Sequence, residues 1–141
     1  MSEDTRRSVD VTRIGTRRYK ATNARGGETF FGEGGDDPDF TPVELLLAAI
    51  AGCSAIDVEA ITHKRVDSTG FTVRSEGDKM RDEDGNHLTG LRLVFDVEFP
   101  DGPDGDQARE RLSGAIAMSR DRLCTVSRTV QLGADVQYEQ V

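Results

Sequence analysis

Two cysteines are the only sulfhydryls in this 141-residue chain, and each sits in a setting that bears on thiol chemistry. Cys53 lies in an apolar, small-residue run, Leu45-Leu46-Leu47-Ala48-Ala49-Ile50-Ala51-Gly52-Cys53-Ser54-Ala55-Ile56. Cys124 lies far along the chain in Arg122-Leu123-Cys124-Thr125-Val126-Ser127, beside charged residues that favour exposure. A fold that brought them together would hold a dithiol able to cycle through a disulfide. The competing reading of Cys53 is a small packed residue, since free cysteine is among the most buried side chains. Cys124 could likewise be an incidental residue at a helix end. The two histidines, His63 and His87, are scattered and give no metal-ligand spacing with the cysteines, so no metal is expected. No phosphate loop, dinucleotide fingerprint or serine-triad motif is present.

Acting as a nucleophile requires the thiolate, and a free cysteine titrates near pH 8.5. Cys53 falls near the third turn of its expected helix, beyond the reach of that helix's own N-terminal field. Apolar surroundings would push its pKa up. Activation therefore calls for a cation brought by the fold. Asp57 lies one turn beyond Cys53 on the same face. It could bind such a cation, or pair across an interface.

The elements that must position these groups follow from patterning. Val9–Val11, Tyr19–Thr22 and Glu28–Phe31 read as short strands, with a turn at Gly15-Thr16. A glycine- and aspartate-rich loop, residues 32–39, comes next. Thr41 is a good N-cap, Pro42 suits the first helical position, and Glu44 completes a capping box. The helix that starts there is expected to reach about Val66 and, being apolar on every side in its first turns, to be buried. The capping box accounts for Glu44 as a helix cap. Phe71–Glu76 and Leu91–Phe99 alternate apolar and polar residues as strands do, around an Asp84-Gly85 hairpin signal. Ala108, Leu112, Ala115, Ile116, Ser119 and Leu123 share one helical face. Val130, Leu132, Ala134, Val136 and Tyr138 alternate and read as a C-terminal strand. The fold class is α+β with mostly antiparallel sheet, in a single domain over residues 1–141.

Composition narrows the partners. A net charge of −8 argues against a duplex nucleic-acid binder. The N-terminal ten residues lack an apolar signal segment, and the apolar run Leu45–Ile56 is short for a bilayer span, so no membrane partner and a cytoplasmic location are expected. In a reducing cytosol two cysteines are catalytic or inert rather than a permanent staple. With 35% hydrophobic residues, part of them in one run, a partner subunit could complete the core.

From Pro42-Val43-Glu44-Leu45 through Cys53-Ser54-Ala55-Ile56-Asp57-Val58 the sequence resembles the OsmC/Ohr family of osmotically induced and organic-hydroperoxide-resistance proteins. Cys124-Thr125-Val126-Ser127 is similar to the family's second cysteine motif, usually Cys-Pro-Val-Ser. The resemblance spans nearly the whole chain. It implies an intertwined homodimer with antiparallel sheets wrapped around long buried central helices. It also implies a thiol peroxidase in oxidative-stress defence, reducing organic hydroperoxides with Cys53 as the peroxidatic thiol and Cys124 as the resolving one. An external thiol would be the reductant, and no cofactor is needed. An Arg from an N-terminal strand or loop, with Arg17, Arg18 and Arg25 the candidates here, and a Glu, here Glu44, would assist. In the hydroperoxide-reducing branch that Glu directly follows the Pro. Here Val43 does, which turns Glu44 by about 100° around the helix. The segment Cys-Ser-Ala-Ile-Asp-Val is closer to the broad OsmC-like branch. The alternative function is a non-catalytic member binding a small apolar ligand at the dimer interface. The small residues around Cys53 would admit an alkyl chain in either case.

Overall fold

The computed structural model describes residues 5–141. The chain forms two compact units, one reaching to Leu46 and the other running from Leu47 to Val141.

The first unit is an antiparallel meander of β1 (Asp10–Gly15), β2 (Arg18–Thr22) and β3 (Glu28–Gly32), in that order across the sheet. Tyr19 pairs with Phe31 across β2 and β3, and their rings stack with centroids 6.0 Å apart. The β1–β2 turn falls one residue later than expected. Gly15 pairs with Arg18, and Arg17 takes the left-handed conformation with φ 55°.

Helix α1 (Pro42–Thr62) begins with the expected capping box. The Thr41 amide donates to Glu44 Oε1 at 2.9 Å, and the Glu44 amide donates to Thr41 Oγ1 at 3.2 Å. Two otherwise orphaned N–H groups are satisfied in this way. The helix ends at Thr62 rather than near Val66, because the Arg65 amide closes a tight turn onto the Thr62 carbonyl. At 21 residues it is long and apolar enough, by length and composition alone, to cross a membrane. Its polar residues are engaged within the chain instead: Thr62 donates to the Val58 carbonyl, and Ser54 and Asp57 bond Ser119.

In the second unit α1 buries a single stripe, Ile50, Ser54, Val58 and Thr62, at the four-residue spacing of one helix face. The face that carries Ala48, Gly52 and Ile56 is open in the single chain, with Ile56 at 70% exposure, while Cys53, Ala55 and Asp57 are half-buried. Strands β4 (Gly70–Asp82) and β5 (Gly85–Glu98) form a long antiparallel hairpin. Its turn is Glu83-Asp84, one residue before the Asp-Gly pair that signalled it. Asp82 Oδ1 accepts the Asp84 and Gly85 amides, and Gly85 supplies a φ of 127°. Helix α2 (Pro103–Met118) packs closely on the strand end, since a Cβ on Gly105 would lie 1.7 Å from the Pro100 carbonyl oxygen. It passes into a five-residue π turn (Ser119–Leu123), which leads to helix α3 (Thr125–Leu132). The buried residues of the unit are Ile50, Val58, Phe99, Gly105, Ala108, Ala115 and Cys124, with Ser54, Thr62 and Ser119.

The C-terminal strand expected over Val130–Tyr138 is not formed. Val126 and Val130 are also four residues apart, a helical spacing, and Cys124 caps the start of α3 while Gly133, at φ 63°, ends it. Residues 134–141 follow without regular structure and leave Val136 and Tyr138 exposed.

Candidate functional site

One helix and one turn build the site. Three residues of α1, Cys53, Ser54 and Asp57, project from neighbouring positions of the same face. Opposite them, the π turn widens the end of α2. The Cys124 amide donates to the Ser119 carbonyl at 2.9 Å, five residues back, in place of the usual four. Cys124 then leaves the helical conformation, with φ −74° and ψ 100°, and becomes the N-cap of α3.

This arrangement brings the two cysteines together. Cys53 Sγ, Cys124 Sγ and a carboxylate oxygen of Asp57 all lie within 4.8 Å of one another, and both thiols are free. Cys124 is fully buried and Cys53 half-buried, so the exposure expected for Cys124 from its charged neighbours is not realised. Arg120 and Arg122 point that charge outward, and Arg120 pairs with Asp121 at 2.7 Å.

The first turn of α3 faces both sulfurs. The Ser127 amide donates to Cys124 Sγ at 3.3 Å, and the Val126 backbone hydrogen-bonds Cys53 and lowers its pKa. A helix N-terminus favours a thiolate, and here a different helix supplies the field that α1 cannot. The balance at Cys53 still lies upward. Burial is the main cause that pushes the thiol above its ordinary pKa, and Cys124 and the Asp57 charge push the same way. Within this unit no guanidinium is among the groups acting on it.

Ser119 and Ser54 are site residues that sequence reasoning passed over. Ser119 is fully buried. Its hydroxyl donates to Asp57 Oδ2 at 3.0 Å and lies 3.0 Å from the Ser54 hydroxyl. The available signal was a serine in the middle of each face, between Ile50 and Val58 on α1 and between Ile116 and Leu123 on the other helix. Beside this network opens a cavity of about 470 Å³. Ile50, Leu91, Leu93, Phe95, Ile116 and Val130 give it apolar walls, with Ser54, Ser127, Arg92 and Arg120 also on its lining.

The remaining candidates lie in the first unit. Both hydrogen bonds of Glu44 belong to the capping box. Arg17 pairs with Glu33 at 3.1 Å. Arg18 pairs with both Asp37 and Asp39 across the loop after β3. Arg25 sits in the β2–β3 turn, where its amide donates to Asn23.

A family model, OsmC-like protein, matches residues 34–139, which takes in both cysteines and the whole of α1. The chain belongs to the OsmC-like family. Among curated proteins, this OsmC-like chain is 33% identical to Rv2923c of Mycobacterium tuberculosis over 132 residues, 93% of each chain. Among solved structures, an OsmC-like protein from Mycoplasma pneumoniae superposes with a TM-score of 0.68 at 16% identity, covering 91% of this chain and 89% of that one. The organic hydroperoxide resistance protein OhrB of Bacillus subtilis gives 0.57 at 18% identity, covering 86% and 90%. These structures share the OsmC-like mixture of helices and antiparallel sheet.

Proposed function

We propose that this OsmC-like chain is a thiol-dependent peroxidase that reduces organic hydroperoxides in oxidative-stress defence. The observation that carries the reading is the pair of free sulfurs, Cys53 and Cys124, within 4.8 Å of one another. The Cys53 thiolate attacks the outer peroxide oxygen. The O–O bond breaks, the alkoxide takes a proton and leaves as the alcohol, and Cys53 becomes a sulfenic acid. The Cys124 sulfur then attacks Cys53 Sγ and displaces water, leaving a disulfide. Sulfurs already within 4.8 Å need close by less than about 3 Å to reach a bonded separation of about 2.05 Å. An external thiol reduces the disulfide by exchange and is itself oxidised.

Neither sulfur is on the lining of the cavity, which flanks the dithiol at Ser54 and Ser127. As the seat for the organic part of a peroxide, it would favour an alkyl hydroperoxide over hydrogen peroxide, because apolar walls gain affinity with each buried methylene. Thiolate formation calls for a guanidinium that offsets burial and Asp57, and Arg17 and Arg18 are the residues proposed for it. The assembly proposed is a homodimer in the cytoplasm, with the open face of α1 at the interface. Ala48, Ala49 and Gly52 are exposed there, and a Cβ on Gly52 meets nothing within 4 Å.

Mixing reduced protein with a slight excess of cumene hydroperoxide tests the reading. Loss of both thiols for one peroxide consumed supports it, and untouched peroxide with two thiols remaining after minutes rejects it. The second reading is a non-catalytic protein that holds a small apolar ligand, and the upward pressure on the Cys53 thiol favours it. Alkylation of Cys53 no faster than free cysteine at neutral pH would select that role.

A further inference from the structure

We propose that the reduced protein takes one borderline-soft divalent cation, of the zinc class, on Cys53 Sγ, Cys124 Sγ and a carboxylate oxygen of Asp57. The sequence spacing could not show this set, because two ligands come from α1 and the third from the cap of α3.

The geometry is close to what such an ion needs. A tetrahedral zinc holds sulfur at about 2.3 Å and carboxylate oxygen at about 2.0–2.2 Å, so its ligand atoms stand roughly 3.5–3.8 Å apart. The three atoms here lie within 4.8 Å of one another, so each side chain moves by about an ångström or less to close on the ion. Two thiolates and a carboxylate are a donor set that zinc and cadmium favour over magnesium or calcium. The fourth position stays open for water or a small ligand.

The surrounding shell is already in place. Ser119 donates to Asp57, Ser127 donates to Cys124 Sγ, and the Val126 backbone hydrogen-bonds Cys53. Metal ligands are oriented by such outer bonds. Three acceptors that disfavour one another's charge in the empty site become mutually supportive around a dication. Binding releases the proton of each thiol, and it requires both to be free. A disulfide removes both thiolate ligands at once, so metal and disulfide exclude each other. The site uses the same dithiol as the proposed peroxidase but does not depend on peroxide turnover. Only its consequence, that the loaded protein would resist peroxide until the metal leaves, rests on that reading.

The test is an anaerobic titration of reduced, chelator-washed, full-length protein with Cd²⁺, following the ultraviolet thiolate-to-cadmium charge-transfer band. The expected result is saturation at one Cd²⁺ per chain, reversal by excess Zn²⁺, and no band in protein first oxidised to the disulfide with diamide. Cys53→Ser should halve the band. Ser119→Ala should weaken binding about tenfold or more while keeping the full band, as loss of an outer-shell bond does. Asp57→Asn should weaken it at least as far. Absence of a saturable band overturns the proposal, as does a band unchanged in Cys53→Ser or saturation at one ion per two chains. Peroxide consumption measured separately on metal-free protein keeps failure of this site distinct from failure of the peroxidase.

Discussion

Ser119 holds Cys124 through its carbonyl, which accepts the Cys124 amide at 2.9 Å, and reaches Asp57 with its hydroxyl at 3.0 Å. One residue thus ties the Cys124 backbone to the carboxylate beside Cys53. Ser119→Ala keeps the backbone bond and removes the hydroxyl from a fully buried position. It should cost about 1–3 kcal/mol, since it leaves Asp57 short of a donor. A denaturant titration reads the loss, and an unchanged midpoint would show that the hydroxyl contributes nothing.

The order of the two cysteines in the proposed cycle can be read directly. Cys53→Ser should abolish peroxide consumption. Cys124→Ser should consume one peroxide and stop at a sulfenic acid that dimedone traps on Cys53. Peptide mass spectrometry locates the adduct, and finding it on residue 124 of a Cys53→Ser protein would reverse the assignment.

The pH dependence of Cys53 separates what the fold does from what an arginine adds. Burial, Cys124 and Asp57 raise its pKa, so the folded state holds the proton more firmly than the unfolded chain. That contribution to stability is complete below the ordinary thiol pKa of about 8.5 and is lost as pH rises through the higher folded value. In a metal-free Arg17→Gln/Arg18→Gln variant, alkylation of Cys53 should keep accelerating beyond the pH where free cysteine levels off. Wild-type protein should level off at lower pH. Coincident profiles would remove both arginines from the proposed site.

Glu44 offers a clean separation of charge from capping. Glu44→Gln can still accept from the Thr41 amide, so stability and peroxide consumption should both match wild type. Glu44→Ala should lose about 1 kcal/mol, as a broken cap does, with peroxide consumption unchanged. A slower Glu44→Gln protein of normal stability would make the carboxylate catalytic.

The proposed interface has a single-residue test. Ile56 is 70% exposed on the open face of α1. Ile56→Asp should shift the protein from dimer to monomer by light scattering, with little effect within the chain. A mass identical to wild type would place the interface elsewhere.

Some of this molecule could be read in advance, for physical reasons that differ by element. The start of α1 was legible because Thr41, Pro42 and Glu44 act locally. The second half of strand β5 was legible because Leu91, Leu93, Phe95 and Val97 recur at every other position, whereas Gly85–Gly90 lack that pattern. The segment after Cys124 was not, because the four-residue spacing of Val126 and Val130 fits both periods. What decides it is end chemistry: the Cys124 sulfur accepting the Ser127 amide, and Gly133 accepting a left-handed turn. The meeting of Cys53 with Cys124 was expected only through family likeness. Spacing along the chain cannot encode it, since it depends on how α1 lies beside the π turn. Ser119 was read as one more position on an apolar face, and its polarity was the clue to the network it completes.

The π turn gives the segment between α2 and α3 a fixed length. Ser119–Leu123 holds one residue more than an α-helical turn would, and that surplus carries Cys124 off the helix. Deleting any one of the five lets the helix wind on regularly and rotates the following residue by about 100°, away from Asp57 and Cys53. Asp121 and Arg122 are exposed, and substitutions there leave the count intact, whereas Arg120 also lines the cavity and Ser119 holds Asp57. Descendants of this sequence can therefore drift at those two positions, while a single lost codon anywhere in the stretch separates the two sulfurs.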